Sequence, residues 1–429
     1  MIVMGLVIGL GIFRTSKDVA GAALTPEIFF AAWVAGGILS VCGGLTFAEI
    51  GSRYPVTGGY YSLFSYAYHP SVAFAINCVI LVSNAASLTG VALIGSEYIM
   101  EVVSPGHGSS PLIAALAILL FYAVNLAGLQ YSSRTQNILM IIKISVLLII
   151  IAGIFFVPAL DTGRDEGRIS PDSIGGKIGM IISFGLALKA TCFSYGGYQQ
   201  TINFGGDVHD PTKTVPRSIM LGMGMVIILY LLVNVAYNHI IGFDELKTSN
   251  AIASVVAGKL FGREGEIVSA IVMFVAVLAY VNVSLLSNPR VMVAMSRDNI
   301  LPQSFSVKHE PTGVFKVSLT VFAALCVIIL FFADSFNKIL SFSIFLDSIG
   351  MVTAGIALFI FRKRKLQTSG SSYTIRWYPL IPIIFIAGYI FVATVIALQE
   401  PAYAIIGTST LIFFLLLYTF IYGKKRKKP

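Results

Sequence analysis

Long apolar runs separated by short polar segments dominate this 429-residue chain. A helix that crosses the hydrocarbon core of a bilayer needs about 20 mostly apolar residues. The runs have that length, and they predict twelve membrane-spanning helices. The predicted spans cover residues 1–23, 26–50, 71–99, 111–129, 138–157, 178–204, 219–241, 267–286, 317–333, 339–361, 380–398 and 402–422. The pattern therefore indicates an all-α integral membrane protein whose partner is the lipid bilayer.

Composition and charge agree with this interpretation. Hydrophobic residues make up 56% of the chain and charged residues only 11%, whereas a soluble domain carries about 25% charged residues. The net charge of +9 includes two basic runs, at 362–365 and 424–428, and each directly follows an apolar segment. Such runs anchor membrane helices on the cytoplasmic side. We therefore expect no nucleic-acid partner.

Counting basic residues also orients the predicted helices. If the basic tail lies inside, the inner loops and flanks carry about twice as many Lys and Arg residues as the outer loops. This excess predicts a multi-pass protein of the cell (plasma) membrane with both termini in the cytoplasm. Residues 1–8 are already apolar and have no positively charged region before them. We interpret them as part of the first helix, with a missing or very short cytoplasmic flank, and not as a signal peptide.

Glycines interrupt the first and sixth predicted helices, which hold corresponding places in two five-helix halves. The first contains Gly9 and Gly11, and the sixth contains Gly196 and Gly197. Paired interruptions of this kind point to the binding site of an inverted-repeat transporter. Unwound backbone exposes N–H groups for a carboxylate and carbonyl groups for an ammonium, and an amino acid carries both. Close helix packing by glycine is the alternative, but the matched positions favour a site.

Five motifs in chain order resemble one family. Residues 8–13 (IGLGIF) are similar to its helix 1 motif I-G-S-G-I-F, and residues 193–198 (FSYGGY) to its helix 6 motif F-A-Y-G-G-W. Residues 48–60, 207–217 and 296–302 are similar to the motifs that follow its helices 2, 6 and 8. The chain thus resembles the amino acid–polyamine–organocation superfamily, in particular its L-type amino acid transporter branch.

The resemblance implies a five-plus-five inverted repeat with broken helices 1 and 6. The repeats would span about 1–157 and 178–361, with peripheral helices at about 380–422, in one transporter domain. It implies a secondary active transporter of amino acids, working by alternating access as an exchanger or a proton-coupled symporter. The implied substrate-binding residues are Ile8, Gly9, Leu10, Gly11, Ile12, Phe13, Phe193, Ser194, Tyr195, Gly196 and Gly197. Leu10 replaces a small polar residue of the family, which narrows the room near the carboxylate.

Ionisable side chains inside a span cost roughly 2.5–3.5 kcal/mol on insertion scales, so they suggest function. Lys143 lies nine residues beyond Arg134, about 13 Å deeper at 1.5 Å per residue, too deep for its side chain to reach the interface. The resemblance places it at the helix 5 lysine of sodium-independent members. We expect it to tie helix 5 to helices 1 and 8, with Ser284 and the carbonyls near Gly9 as partners.

Three further polar residues lie inside spans. Lys189 and Asp347 are expected either to form a neutralising ion pair between helices 6 and 10 or to act as a gate, and Asp347 alternatively selects cationic substrates. Asn282 is expected either to contact the substrate or to form a hydrogen bond between helices.

Other function classes have little support in the sequence. No GxSxG, HExxH or paired-aspartate arrangement suggests an enzyme, no Walker A motif suggests a primary pump, and no cofactor or metal is expected. The alternatives that stay open are an amino acid sensor of transporter fold and a carrier of polyamines or cationic amino acids. Animal members of the L-type branch are linked through a cysteine between helices 3 and 4 to a heavy subunit. Residues 100–110 contain no cysteine, so no disulfide-linked heavy subunit is expected.

Overall fold

The computed structural model describes residues 2–9, 11–53, 58–103, 110–158, 174–206, 208–249, 251–332, 336–365 and 373–422. Within these ranges the chain forms helices and no β-strand. Ten of the helices are long and apolar enough to cross a membrane. The prediction of an all-α membrane protein is therefore confirmed. Leu10, one of the predicted site residues, lies outside the described residues.

Sixteen α-helices follow one another through the described residues. They are α1 (Ile2–Val7), α2 (Gly11–Ala22), α3 (Pro26–Arg53), α4 (Gly59–Ala67), α5 (Pro70–Val103), α6 (Ser110–Ala127), α7 (Leu129–Ala152), α8 (Ile174–Tyr195), α9 (Pro211–Ile241), α10 (Phe243–Thr248), α11 (Ile252–Ser287), α12 (Pro289–Arg297), α13 (Lys316–Phe332), α14 (Phe336–Lys363), α15 (Leu380–Gln399) and α16 (Pro401–Tyr422). Short 3₁₀ segments at Gly153–Phe155, Tyr198–Asn203 and Gln303–Ser306 connect some of them.

The first and sixth predicted spans are each divided into two helical pieces. The first is α1 and α2, which are separated around Gly9. The sixth is α8 and the 3₁₀ segment Tyr198–Asn203, with Gly196 and Gly197 between them. Gly197 has φ 110° and ψ −28°, a left-handed conformation that favours glycine. A Cβ atom there would also overlap the backbone of Leu6, so the two breaks lie against each other.

The broken helices lie inside the bundle. Helix α2 packs on α8, and α1 packs on α9 and on the 3₁₀ segment that continues α8. Helix α3 covers α8 and α9, while α5 packs between α11 and α14. Large apolar side chains such as Phe331 and Phe420 point outward and are more than two thirds exposed, as expected of a surface that faces lipid chains. The interrupted backbone is therefore enclosed by continuous helices.

Two parts of the bundle differ from the predicted spans. Helix α11 extends further than the predicted span 267–286, and the non-helical Gly262 (φ 69°) divides it into two parts. Helices α4 and α12 follow α3 and α11 and were not predicted, because their nine residues are too short to give a spanning signal.

Candidate functional site

A small cavity lies between the two helix breaks. Its volume is about 30 Å³, which is room for one or two water molecules. An amino acid therefore fits only if the walls move apart, so this conformation is closed around the site. The lining comes from both breaks and from α5, α11, α14 and α15: Leu6, Val7, Gly9, Gly11, Asn84, Ser87, Val91, Cys192, Phe193, Ser194, Gly196, Gly197, Gln199, Gln200, Tyr280, Ile344, Asp347, Met351 and Tyr389.

Some of the predicted backbone residues line this cavity and others support its wall. The lining includes six of them: Gly9, Gly11, Phe193, Ser194, Gly196 and Gly197. The remaining described ones do not reach the cavity. Ile8, Ile12 and Phe13 are completely buried, and the Tyr195 ring packs against Trp33 and Tyr230 at centroid distances of 5.6 and 5.3 Å.

Glycine allows the two breaks to approach each other closely. A Cβ atom on Gly11 would lie 2.8 Å from the Cα atom of Ser194, closer than real contacts of this kind. Several backbone groups at the breaks are bonded within the chain. The Gly9 N–H donates to the Val7 carbonyl over 2.7 Å, and the Gly197 N–H donates to Gln199 Oε1 over 2.9 Å. The breaks are therefore held in a defined, hydrogen-bonded geometry.

Lys143 reaches the first break from α7. Its side chain is completely buried, and its ammonium donates a hydrogen bond to the Ile8 carbonyl. The Tyr230 hydroxyl donates to the neighbouring Val7 carbonyl over 3.1 Å. The expected link between helix 5 and the first break is thus present in the structure. No hydrogen bond joins Lys143 to Ser284 within the described residues.

The expected ion pair between Lys189 and Asp347 is wrong. Lys189 Nζ lies 3.1 Å from both carboxylate oxygens of Glu400, between α15 and α16, and 3.1 Å from Ser341 Oγ on α14. Asp347 Oδ1 instead accepts a hydrogen bond of 2.8 Å from Ser83 Oγ on α5. The prediction failed because it considered charged residues within the spans only, and the partner of Lys189 lies at the end of one.

Asn282 forms hydrogen bonds between helices, which is the second of its two expected roles. It donates to Gln136 Oε1 over 3.1 Å and accepts from Asn125 Nδ2 over 2.9 Å, which joins α11 to α7 and α6. Asn282 is completely buried and does not line the cavity. Its side-chain amide is engaged by neighbouring helices in this closed conformation, and a contact between Asn282 and the substrate stays a prediction.

Sequence reasoning missed the polar wall of the cavity. Gln200 Nε2 donates to Asn84 Oδ1 over 3.2 Å, and Asn84 Nδ2 donates to Asn288 Oδ1 over 2.7 Å. The presence of Asn84 and Ser87 inside an otherwise apolar span was the available signal. Tyr389 on α15 also lines the cavity, so this predicted peripheral helix contributes to the site.

A buried charge cluster lies away from the cavity, at one end of α3 and α14. The completely buried Glu49 accepts bonds from Arg53 (2.7 Å) and from Arg362 (2.8 and 2.6 Å), and from the Ile375 N–H (2.9 Å). The Arg362 guanidinium also stacks 3.9 Å from the centre of the Tyr378 ring. Arg362 belongs to the basic run that is expected to anchor a helix on the cytoplasmic side, and in the structure it also holds α14, α3 and residues 375–378 together.

Paired helix breaks around a cavity, within a bundle of long apolar helices, are the architecture of an integral membrane transporter. The amino acid permease family model matches residues 1–422. The serine/threonine exchanger SteT of Bacillus subtilis is 30% identical over 91% of this chain and 88% of its own length. This chain belongs to the amino acid permease family.

Two human relatives extend the comparison. The cystine/glutamate transporter is 29% identical over 83% of this chain and 71% of its own length. The large neutral amino acids transporter small subunit 2 is 26% identical over 97% of this chain and 79% of its own length. The expected resemblance to the superfamily and its L-type branch is thus confirmed.

Proposed function

We propose that this protein exchanges amino acids across the plasma membrane by alternating access, independently of sodium. The observation that carries the proposal is the cavity between two glycine breaks, with Lys143 fixed to the backbone of one of them. The exchange mode is supported by the relative that is named a serine/threonine exchanger. Proton-coupled symport is the second mode, and the experiment below distinguishes it.

The proposed architecture has twelve spans. Ten are the long apolar helices, the shorter apolar helix Lys316–Phe331 adds one, and α1 with α2 forms the broken first span. Residues 1–157 and 178–361 form the two inverted halves, and α15 and α16 follow them, with α15 adding Tyr389 to the wall of the cavity. With this even number of spans, the distribution of basic residues supports cytoplasmic termini.

The substrate backbone binds at the two breaks. The first N–H groups of α2, beginning at Gly11, carry the partial positive charge of a helix N-terminus and receive the carboxylate. The carbonyls at the end of α8, near Phe193 and Ser194, receive the ammonium group. Since the cavity holds only one or two waters when closed, binding must be accompanied by separation of the two breaks.

Lys143 gives the proposed reason for sodium independence. The ammonium group of Lys143, which is hydrogen-bonded to the Ile8 carbonyl, repels a metal cation and takes its place as the partner of the unwound backbone. The same hydrogen bond ties α7 to α1, so the break and α7 are expected to move together during transport.

Counterflow in proteoliposomes tests the proposal. Purified protein is reconstituted with an unlabelled amino acid inside, and entry of the labelled amino acid is measured in sodium and in choline buffers. Exchange predicts uptake that requires internal amino acid and is equal in both buffers. Uptake that occurs only with a pH gradient would indicate proton-coupled symport instead of exchange. Stabilisation by amino acids without any flux would instead indicate a sensor.

We also propose that no heavy subunit is attached by a disulfide. Cys42, Cys192 and Cys326 are buried within helices, and Cys78 is partly buried near the start of α5. A disulfide needs Cα atoms within about 7 Å, which a second chain outside the bundle does not reach at the buried positions. The protein should migrate identically on reducing and non-reducing gels and transport when reconstituted alone. A reducible band that contains a second polypeptide would contradict this proposal.

A further inference from the structure

Asp347 has an unusual position for a carboxylate within a membrane helix. It lies near the middle of α14, lines the cavity and is partly exposed to it. Among the described lining residues it is the only charged side chain. Ser83 is its hydrogen-bond partner, and no basic side chain forms an ion pair with it within the described part of the chain. The wall of the cavity therefore carries one negative charge without a matching positive charge.

This negative charge is unfavourable unless the substrate brings a positive charge to it. An ionised carboxylate deep in a membrane protein is costly, and an uncompensated buried charge is destabilising by about 3–5 kcal/mol relative to a paired one. The carboxylate and ammonium of a neutral amino acid balance each other at the helix breaks. Such a substrate would leave the Asp347 charge uncompensated when the cavity closes and water leaves.

The other groups around Asp347 are suited to a cation. The rings of Phe193, Tyr280 and Tyr389 line the same cavity, and the face of an aromatic ring attracts an ammonium group by about 0.5–2 kcal/mol. Asn84 and Ser87 add neutral oxygen acceptors at the same wall. A carboxylate, aromatic rings and neutral oxygens together form the usual chemistry for binding an organic ammonium.

The two buried lysines of the described helices, Lys143 and Lys189, are already engaged. Lys189 is held by Glu400 and Ser341, and Lys143 donates a hydrogen bond to the Ile8 carbonyl. Neither side chain lines the cavity. The positive partner of Asp347 must therefore come from the substrate or from a proton.

We infer that the side-chain subsite selects amino acids with a second ammonium group and that Asp347 is the residue that receives this group. The inference rests on the proposed function, because it takes the two helix breaks as the site of the substrate backbone. It names the substrate class as diamino acids, with the α-amino and α-carboxyl groups at the breaks and the distal ammonium at α14.

Matched ligand pairs test the inference. Ornithine and norleucine have side chains of equal length, in which an ammonium replaces a methyl group, and 2,4-diaminobutyrate and norvaline form a second pair. Binding to the purified full-length protein is measured by calorimetry at neutral pH, and counterflow is measured in proteoliposomes. We expect at least one diamino acid to bind about tenfold more tightly than its isostere, equivalent to about 1.4 kcal/mol.

Variants connect this preference to Asp347. Asp347→Asn should abolish the preference, and Asp347→Glu should retain part of it. Asp298→Asn, which removes a carboxylate at an exposed position, controls for net charge and should leave the ratio unchanged. Size-exclusion profiles of all variants establish that each is folded.

The outcomes separate the inference from the proposed function. Equal or tighter binding of the neutral isosteres, or an unchanged ratio in folded Asp347→Asn, would overturn the inference while amino acid counterflow still supports the function. Proton uptake that accompanies neutral substrates and is lost in Asp347→Asn would assign Asp347 to a proton and also overturn it. Preferential binding of diamino acids without any counterflow would uphold the inference about the ligand and reject the transport function.

Discussion

Substitution of Arg362 is a direct test of the buried charge cluster. The three basic residues that follow it, at 363–365, carry the same charge and therefore provide matched controls. Arg362 donates two bonds to Glu49 (2.8 and 2.6 Å) and contacts the Tyr378 ring, whereas Lys363 is exposed. Arg362→Ala should therefore destabilise the protein strongly, and Lys363→Ala should not. If both residues only anchored the helix end on the cytoplasmic side, the two substitutions would have similar effects.

The magnitude follows from the contacts. Hydrogen bonds to charged groups contribute about 1.5–3 kcal/mol each, and removal of one partner of a buried ion pair costs about 3–5 kcal/mol. The Arg362 side chain is 22% exposed, and Arg53 remains with Glu49, so we expect a loss of about 2–4 kcal/mol. Lys363→Ala should change stability by less than about 0.5 kcal/mol. Arg362→Lys should fall between them, since it keeps the charge but loses the fork that binds two carboxylate oxygens.

Equilibrium unfolding in mixed dodecyl maltoside and SDS micelles measures these free energies. Glu49→Gln provides an independent variant, and we expect it to be at least as destabilising as Arg362→Ala because two guanidinium groups lose their counter-charge. Equal losses for Arg362→Ala and Lys363→Ala, or a neutral effect of Glu49→Gln, would refute the reasoning.

Three further predictions address the site and its surroundings. Transport should be unchanged when choline replaces sodium, because Lys143 repels a cation at the first break; a steep sodium dependence would disprove this. Replacing Lys189 by Met or Glu400 by Gln should each reduce thermal stability more than the double replacement does, because a lone buried charge is worse than none; additive losses would argue against the pair. Gly197→Ala should lower the free energy of unfolding by about 2–5 kcal/mol, because of left-handed strain and overlap with neighbouring backbone, and it should abolish counterflow. Gly224 has open space beside it, so Gly224→Ala should behave like the parent protein.

Local chemistry explains which parts of the fold were predictable. The spanning helices follow from the length of apolar runs, and the breaks follow from the glycines at 9, 11, 196 and 197, because both signals lie within a single segment of sequence. Gly9 and Gly197 duly line the cavity between the breaks. The contact of Lys143 with the first break was also predictable, because it required only the helix 1 motif and the depth of Lys143 within its own span.

Side-chain partners could not be predicted in the same way. Lys189 had one candidate acid in the neighbouring spans, Asp347, but it bonds to Glu400, more than 200 residues away in sequence. Asn282 and Asn84 are both polar residues in apolar helices, yet the first joins three helices and only the second lines the cavity. Sequence alone does not say which side of a helix faces a neighbour and which faces the cavity, so the two roles are indistinguishable until the helices are packed.

Helix α14 connects the cavity to the Glu49 charge cluster and to the Lys189–Glu400 ion pair. Ser341 lies beside the Lys189–Glu400 pair, Asp347 lies at the cavity, and Arg362 is bonded to Glu49. At 1.5 Å per residue, Asp347 is about 9 Å along the helix from Ser341 and about 22 Å from Arg362. Because an α-helix is stiff over such distances, a shift of α14 when a substrate engages Asp347 has to strain or break the contacts at one of its ends. The stronger Glu49 cluster resists that shift more than the single pair at Lys189 does. Opening of the site should therefore begin at the Lys189 end of α14, with the Arg362 end as the pivot.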